Sequence, residues 1–351
     1  MLEKFTQQLA QAGPLTDEQV RQAVDQLADE TIQAAAKAGF LTALAQKGET
    51  PGEIAAFARA LRDKSIPPPM DPAWRETREI LDVVGTGGDR LGTFNISTAA
   101  ALVCAAAGVT VAKHGNRAVT SQAGSADVLE ALGVRIDLPP LEAVRSLQER
   151  QFAFFFAPAW HPAFKHIAPA RKLCAERGQR TIFNYLGPLL NPARPSAMLV
   201  GVPRPELCEP LARVLQSLGV RRAMVVSGAV PNPASTVPSA IDELSTLGEN
   251  TIAEFYQERG FATSTLSPEA FPLQAATLTD LIGGDRQANA EIIRRIFRGE
   301  ERGPKRDAVL LNSAAALFVA GKTKSLAEGW EVAGRTIDSG LARAKLEELA
   351  R

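Results

Sequence analysis

Asp82-Val83-Val84-Gly85-Thr86-Gly87-Gly88-Asp89 marks where this chain turns from helices to a strand-and-helix alternation. A mostly apolar run, Ile80 to Val84, enters a glycine-dense turn closed by a carboxylate, and Asn95-Ile96-Ser97-Thr98 then opens an alanine-rich helix. Glycine lets the backbone approach a ligand closely, and consecutive N–H groups at a strand-to-helix turn form a concave anion site. The turn is neither of the two common phosphate loops. A Walker A loop ends in Gly-Lys-Ser/Thr and a dinucleotide fingerprint reads G-x-G-x-x-G, whereas the order here is Gly85-Thr86-Gly87-Gly88-Asp89. By itself the turn fits either a phosphate cradle or a tight strand–helix connection.

The strand–helix alternation continues on the carboxyl side. Val109–Ala112, Val134–Leu138 and Phe152–Phe156 read as strands between helices Ile96–Ala107, Ala126–Leu132 and Leu141–Arg150. The rhythm resumes with Met198–Val202, a helix over Glu206–Leu218 and Ala223–Val226. Apolar strands alternating with helices predict a mostly parallel sheet covered by helices on both faces. Three further helical patterns lie around Ala288–Arg298, Leu310–Ala320 and Leu326–Leu349.

On the amino side the pattern is helical throughout. Leu2, Phe5 and Leu9 share one face, Val20, Val24, Leu27 and Ile32 continue the spacing, and Gly39 and Gly48 read as breaks between short helices. Pro67-Pro68-Pro69, with Pro72 close behind, is the best linker candidate. The expected fold class is therefore α/β, with a small all-helical domain over residues 1–66 and a larger α/β domain over 75–159 and 193–351. The stretch around 160–192 breaks the alternation and is expected to return to the helical domain.

Composition narrows the function. Of 351 residues 45% are hydrophobic and 22% charged, which fits a globular chain, and 39 basic residues balance 39 acidic ones. A non-specific nucleic-acid binder carries a basic excess, so that class loses weight. Cys104, Cys174 and Cys208 are too few and too far apart for a disulfide framework and fit a reducing compartment. No apolar run approaches the roughly 18–20 residues of a membrane span, and MLEKFTQQLA has no signal-peptide profile. The expectation is a cytoplasmic protein without membrane or nucleic-acid partners.

Two more elements carry chemistry. Lys113-His114-Gly115-Asn116-Arg117 follows a strand, at the edge where open α/β sheets bind ligands, and runs on to Thr120-Ser121 and Gly124-Ser125 at another helix start. Two anion sites on adjacent turns suggest a ligand with two phosphate groups. Asp242-Glu243 follows a proline-rich loop; such a pair beside a pyrophosphate would hold Mg²⁺, although adjacent acids also occur at helix starts for dipole reasons. His161 and His166 with Cys174 lack the ligand number of a zinc site and read as packing or surface residues, and Trp160 as packing.

These residues resemble the anthranilate phosphoribosyltransferase family, which joins anthranilate to 5-phosphoribosyl 1-pyrophosphate in tryptophan biosynthesis. The resemblance runs nearly end to end. It rests on DVVGTGGD (82–89), TFNIST (93–98), KHGNR (113–117), GSADVLEALG (124–133), FAPAWHPA (156–163), RTIFNYLGPLLNPAR (180–194), DELS (242–245) and LLNSAAALFVAGK (310–322). Pyrimidine nucleoside phosphorylases share the fold family, and a paralogue with another aromatic acceptor or a non-catalytic nucleic-acid-binding relative are the alternatives.

The resemblance implies a donor cradle of Gly85, Gly88, Asp89, Thr93, Asn95, Ile96, Ser97 and Thr98, completed by Lys113, His114, Gly115, Asn116, Arg117, Ala118, Val119, Thr120, Ser121 and Ser125. It implies Mg²⁺, two ions, on Ser97, Asp242 and Glu243, and acceptor contacts from Gly85, Asn116 and Arg171, the last facing the carboxylate. Lys113, Asn116 and Arg171 are the implied catalytic set, and a homodimer paired through helical domains the implied assembly. Two departures stand out: Trp160-His161-Pro162-Ala163 where the family commonly has His-His-Pro-Ala, and a long proline-rich loop over 229–241 before the metal acids.

Overall fold

Helices open the chain because its apolar residues recur at helical spacing and its polar residues cap the starts. The computed structural model describes residues 1–118, 122–231 and 239–351. Helices α1 (Leu2–Ala10), α2 (Asp17–Ala28), α3 (Ala34–Lys47) and α4 (Pro51–Asp63) come first. Thr16 with Gln19 and Thr50 with Glu53 form capping boxes at the starts of α2 and α4. Glu53 also accepts from Lys47 Nζ at 2.6 Å and from Leu15 N at 3.0 Å, which ties three segments to one buried carboxylate. Gly39, expected to separate two short helices, lies inside the single helix α3. The surrounding alanines and leucines outweigh its intrinsic cost of about 1 kcal/mol.

A short helix α5 (Pro72–Glu76) leads into β1 (Ile80–Gly85), followed by α6 (Ile96–Ala106), β2 (Thr110–Gly115), α7 (Ser125–Ala131), α8 (Pro140–Arg150) and β3 (Phe152–Phe156). Next come α9 (Ala157–Trp160), α10 (Phe164–Glu176), α11 (Phe183–Leu186), β4 (Ala197–Gly201), α12 (Cys208–Ser217), β5 (Arg222–Val230) and β6 (Ser239–Ile241). The remainder is β7 (Asn250–Tyr256), β8 (Gly260–Leu266), α13 (Leu278–Leu281), α14 (Arg286–Phe297), α15 (Pro304–Val319), α16 (Leu326–Asp338) and α17 (Leu341–Leu349). The strands form one sheet in the order β3-β2-β1-β4-β5-β7-β8, with β6 also on β5. The first five of these pair in parallel; β6, β7 and β8 add antiparallel.

Two local expectations are corrected, and one hairpin was not expected. Val134–Leu138 is no strand: Val134 and Ile136 are buried in the core, but the segment pairs with no strand among the described residues and runs directly into Pro139-Pro140 at the start of α8. The β7–β8 hairpin had no sequence counterpart because β8 is largely exposed and polar, so its apolar signal is thin. Leu326–Leu349 is two helices, split where Gly340 adopts φ +81°.

Helix α10 packs on α3 and α2. The buried Lys37 of α3 helps fix it, its ammonium donating to Asp29 O at 2.7 Å and to His166 O in α10 at 2.9 Å. One core lies on the α6, α15 side of the sheet and a second on the α12 side, continuous with the helical bundle. Cys104, Cys174 and Cys208 are buried free thiols. Among the described residues no helix is long and apolar enough to cross a membrane.

Candidate active site

Three glycines at the carboxyl ends of adjacent strands build the site. Gly85 ends β1, Gly201 ends β4 directly beside it in register, and Gly228 lies towards the end of β5. A Cβ on Gly85 would sit 2.2 Å from Asp242 Oδ2, one on Gly201 1.6 Å from Asp242 O, and one on Gly228 2.4 Å from Ser245 Cβ. The missing side chains thus leave a shelf on which the segment Asp242–Ser245 lies flat across the sheet edge.

Two buried amides hold that segment from behind. Asn312 of α15 accepts from Leu244 N at 2.9 Å and donates to Leu244 O at 3.0 Å. Asn250 accepts from Ser245 N at 2.6 Å and donates to Ser245 O at 3.0 Å. Asp242 and Glu243 are therefore aimed by backbone that cannot slide.

Asp242 Oδ2 accepts the Gly87 N–H at 2.6 Å, so a carboxylate occupies an amide donor of the glycine turn. Gly87 and Gly88 have φ of +74° and +91°, which turn their N–H groups in a way other residues resist. Glu243 Oε1 accepts from Ser97 N at 3.1 Å, at the first turn of α6. Burial, with the neighbouring Asp89 and Glu243 charges, holds the Asp242 carboxyl well above the usual carboxylate range. Glu243 is pushed up to about 7, chiefly by burial, with Lys113 and Ser97 pulling it back.

Lys113 is almost fully buried, not directed into solvent, and its Nζ donates to Val83 O at 2.5 Å. It lies between the charges of Asp82 and Glu243; burial lowers its proton affinity and those two acids restore it in part. Asp82 is held in turn by Asn191 Nδ2 at 2.9 Å and His114 N at 3.3 Å, and burial raises it to about 6. Ile96 and Thr98 are buried, Ile96 in the hydrophobic core, and the Thr98 hydroxyl has no hydrogen-bond partner among the described residues.

The second turn is arranged differently. Arg117 is exposed and pairs with Asp127 and Glu130, both at 3.0 Å, while Asn116 Oδ1 accepts from Arg117 N at 2.7 Å. Asp127 also accepts from Ala118 N and Gly124 N. Ser125 Oγ lies so close over Gly115 that a Cβ there would be 2.2 Å away. Asn95 accepts from Asn289 Nδ2 at 2.9 Å, and Thr93 bridges Ile282, which fastens the loop after the glycine turn to the start of α14. Val119, Thr120 and Ser121 lie outside the described residues, as do 232–238 of the long loop.

A ladder of rings joins this turn to the candidate acceptor residue. His114 meets His161 at 5.3 Å, His161 stacks on Phe164 at 5.0 Å, Phe164 meets Phe183 edge-on at 5.8 Å, and the Arg171 guanidinium lies 5.0 Å over Phe183. His114 Nδ1 pairs with Gly187 O at 3.2 Å. Burial first, then neighbouring positive charge, lowers His114 to about 3 and His161 to about 4, so both rings are neutral at pH 7. Trp160 is buried against Phe155 at 4.8 Å, a packing role.

The family described as "Glycosyl transferase family, a/b domain" matches residues 77–343, and "Glycosyl transferase family, helical bundle domain" matches residues 3–65. A protein of Petrotoga mobilis named anthranilate phosphoribosyltransferase is 46% identical over 349 residues, covering 99% of this chain and 96% of that one. The chain belongs to the anthranilate phosphoribosyltransferase family. The solved structure of the Thermus thermophilus member superposes with a TM-score of 0.85 at 42% identity, covering 99% of this chain and 98% of that one. The Saccharomyces cerevisiae member in complex with PRPP and Mg gives 0.84 at 27% identity, covering 99% and 96%.

Several site residues were given no role from the sequence, even where they lie inside a quoted motif, as Asp82, Asn191 and Asn312 do. Asp82, Asn191, Gly201, Gly228, Asn250, Asn289 and Asn312 are such residues. A signal existed for two of them: an acid inside the apolar strand β1 and an amide inside the apolar helix α15 each need a buried partner.

Proposed function

We propose that this protein transfers the 5-phosphoribosyl group of 5-phosphoribosyl 1-pyrophosphate to the amine of anthranilate, releasing pyrophosphate, in tryptophan biosynthesis. The observation that carries the reading is the docking of Asp242–Glu243 on the glycine turn and on Ser97 N. This gathers amide donors and carboxylates at one sheet edge in a chain of this family.

The donor set suits magnesium. Asp242 and Glu243 lie half-buried beside Asp89 with Lys113 near Glu243, an anionic excess that favours a hard divalent cation. Among the described residues no three His, Cys, Asp or Glu side chains form a metal cage by themselves, so part of the ligand sphere would come from substrate oxygens and water. Ser97, Asp242 and Glu243 would hold the metal, two ions in our reading. When bound it supplies positive charge beside the diphosphate.

The chain's own residues do the rest. N–H groups of the Gly85–Asp89 turn and the start of α6 orient the diphosphate, with Thr93, Asn95 and Ser125 on the ribose phosphate side. Lys113 acts from beneath the site, its charge offsetting Asp82 and Glu243. The arylamine is neutral and nucleophilic, so its lone pair forms the bond to the anomeric carbon. The bond to pyrophosphate breaks with its electron pair, and the amine then loses a proton to solvent. No strong base is required. Asn116 and Arg171 orient the acceptor, the guanidinium on its carboxylate and the ring ladder alongside.

Mixing the protein with anthranilate, the donor and Mg²⁺ is expected to consume anthranilate fluorescence, and omission of Mg²⁺ to prevent it. Retained donor binding with no turnover at millimolar anthranilate would move the reading to another aromatic acceptor. The assembly is read as a cytoplasmic homodimer paired through the helical bundles, for which light scattering should give twice the 37.4 kDa chain mass.

A further inference from the structure

A cavity of about 270 Å³ opens at the opposite edge of the sheet from the glycine shelf. Its lining includes Arg59, Arg62, Asp63, Arg75, Arg194 and Gly219. Arg75 precedes β1, Arg194 precedes β4 and Gly219 precedes β5, so the cavity lies at the amino ends of the strands whose carboxyl ends carry the active site. The two are about a strand's length apart, roughly 15–20 Å.

The charge there is unbalanced. Four guanidinium groups face one carboxylate, Asp63, which is already paired with Arg194 at 3.0 Å. Arg59 is paired outward with Asp17 at 2.9 Å. Arg62 and Arg75 have no carboxylate within ion-pair distance among the described residues; they donate to the carbonyls of Leu189 and Arg194. Arg62 is only 7% exposed, and its Nη2 is buried without a hydrogen-bond partner among the described residues. Burial first, then the Arg194 charge, lowers the proton affinity of both Arg62 and Arg75; the Arg75 charge adds to the effect on Arg62, and Asp63 offsets part of it. A buried donor left unsatisfied beside like charges is costly unless something anionic joins it.

We infer that this cavity is an anion site for a phosphate-class oxyanion, held by Arg62, Arg75 and Arg194 and separate from the active site. Guanidinium forks match tetrahedral oxyanions two bonds at a time, and several of them together favour a multiply charged ion over a monocarboxylate. The source is free phosphate or diphosphate, both of the same oxyanion chemistry. Arg62 also links the cavity inward: it holds Leu189 O, and the same turn carries Gly187, whose carbonyl meets His114.

The test titrates inorganic phosphate, and in a parallel arm inorganic pyrophosphate, into the whole protein by calorimetry at constant ionic strength without Mg²⁺. Wild type and Arg75→Gln/Arg194→Gln are compared. Phosphate binding at the active site is common to both proteins, so the difference isolates the cavity. The expected result is one binding event lost, or weakened about tenfold or more, in the variant, with basal turnover retained. The tighter arm names the source. Identical isotherms for the two proteins would overturn the inference. Arg75→Gln alone, which leaves the Arg194–Asp63 pair intact, keeps the test valid if the double variant fails to fold; it should show a smaller loss of the same event.

Discussion

Gly201→Ala is the substitution on which the shelf stands or falls. Its Cβ would lie 1.6 Å from Asp242 O, 2.3 Å from Asp242 C and 3.0 Å from Glu243 N, all backbone atoms. Reaching ordinary contact requires the segment to lift by roughly 2 Å. Asn312 resists, with bonds of 2.9 and 3.0 Å to Leu244 that would not survive such a shift. Two buried hydrogen bonds at about 1–3 kcal/mol each, less partial relaxation, give a loss of about 3 kcal/mol. For a chain this long that is a fall in Tm of roughly 4 °C. The same lift takes Asp242 and Glu243 from Gly87 N and Ser97 N, so the Mg²⁺ concentration for half-maximal activity should rise several-fold. The control is Gly334→Ala within α16, whose Cβ would meet nothing closer than 3.9 Å and which should stabilise by about 0.5–1 kcal/mol. Differential scanning and Mg²⁺-dependent turnover read both. A Gly201→Ala protein with wild-type Tm and an unchanged magnesium requirement would mean that the Asp242–Ser245 segment does not rest on Gly201.

Lys113→Met removes the cation between Asp82 and Glu243 and should cost about 3–5 kcal/mol at pH 8; the loss should shrink towards pH 6, where those acids take up protons, and a pH-independent loss in urea denaturation would contradict the pairing. Arg171→Ala should raise the KM for anthranilate about tenfold and leave donor affinity nearly unchanged, whereas equal loss of both would remove the guanidinium from the acceptor end. His161 sits at about 4 in the folded chain against 6.5 in the unfolded one, so its contribution is intact above pH 6.5 and falls as pH drops. Asp82 and Glu243 change stability in the opposite sense over that range, so the histidine is isolated by comparison with His161→Phe. Wild type should lose about 1.5 kcal/mol relative to that variant between pH 6.5 and 5, and a constant difference would mean that the ring is not held neutral.

The fold was legible where pattern and packing coincide. Ile80–Gly85 is apolar and ends in glycine because it is a central parallel strand that must stop beneath a ligand. Helical spacing at the amino end was likewise sufficient, since α1 and α2 bury one face each, whereas α4 is enclosed nearly all round. Local pattern misled where packing decided: Val134 and Ile136 alternate like a strand yet are buried in the core without pairing to one. The glycine turn and the Asp242-Glu243 pair could be found as motifs, but the contact between them spans 155 positions and no local rule connects them. The same holds for Lys113. Its place in a cationic turn suggested a group facing ligand, and only the parallel pairing of β1 and β2 shows it turned inward to Asp82.

Sheet topology explains why the acids come to this edge. From β1 the order runs to β2 and β3 on one side and to β4 and β5 on the other. Helix α6 leaves β1 into one core, while α12 leaves β4 into the other. Two connections departing to opposite faces open a crevice between the carboxyl ends of β1 and β4, the point where α/β sheets bind ligands. Gly85 and Gly201 are the paired residues at that point. A side chain on either would close the crevice, and their absence admits a backbone segment from beyond β5. What enters carries two carboxylates, placed where the amides of the glycine turn and of α6 leave positive partial charge. The crevice thus contains donors and acceptors side by side: amides for the oxygens of a diphosphate, and carboxylates for the cation that accompanies it. An anion site lined with acids makes chemical sense only if the ligand arrives with metal, and that combination, more than any single residue, separates this crevice from a plain phosphate loop.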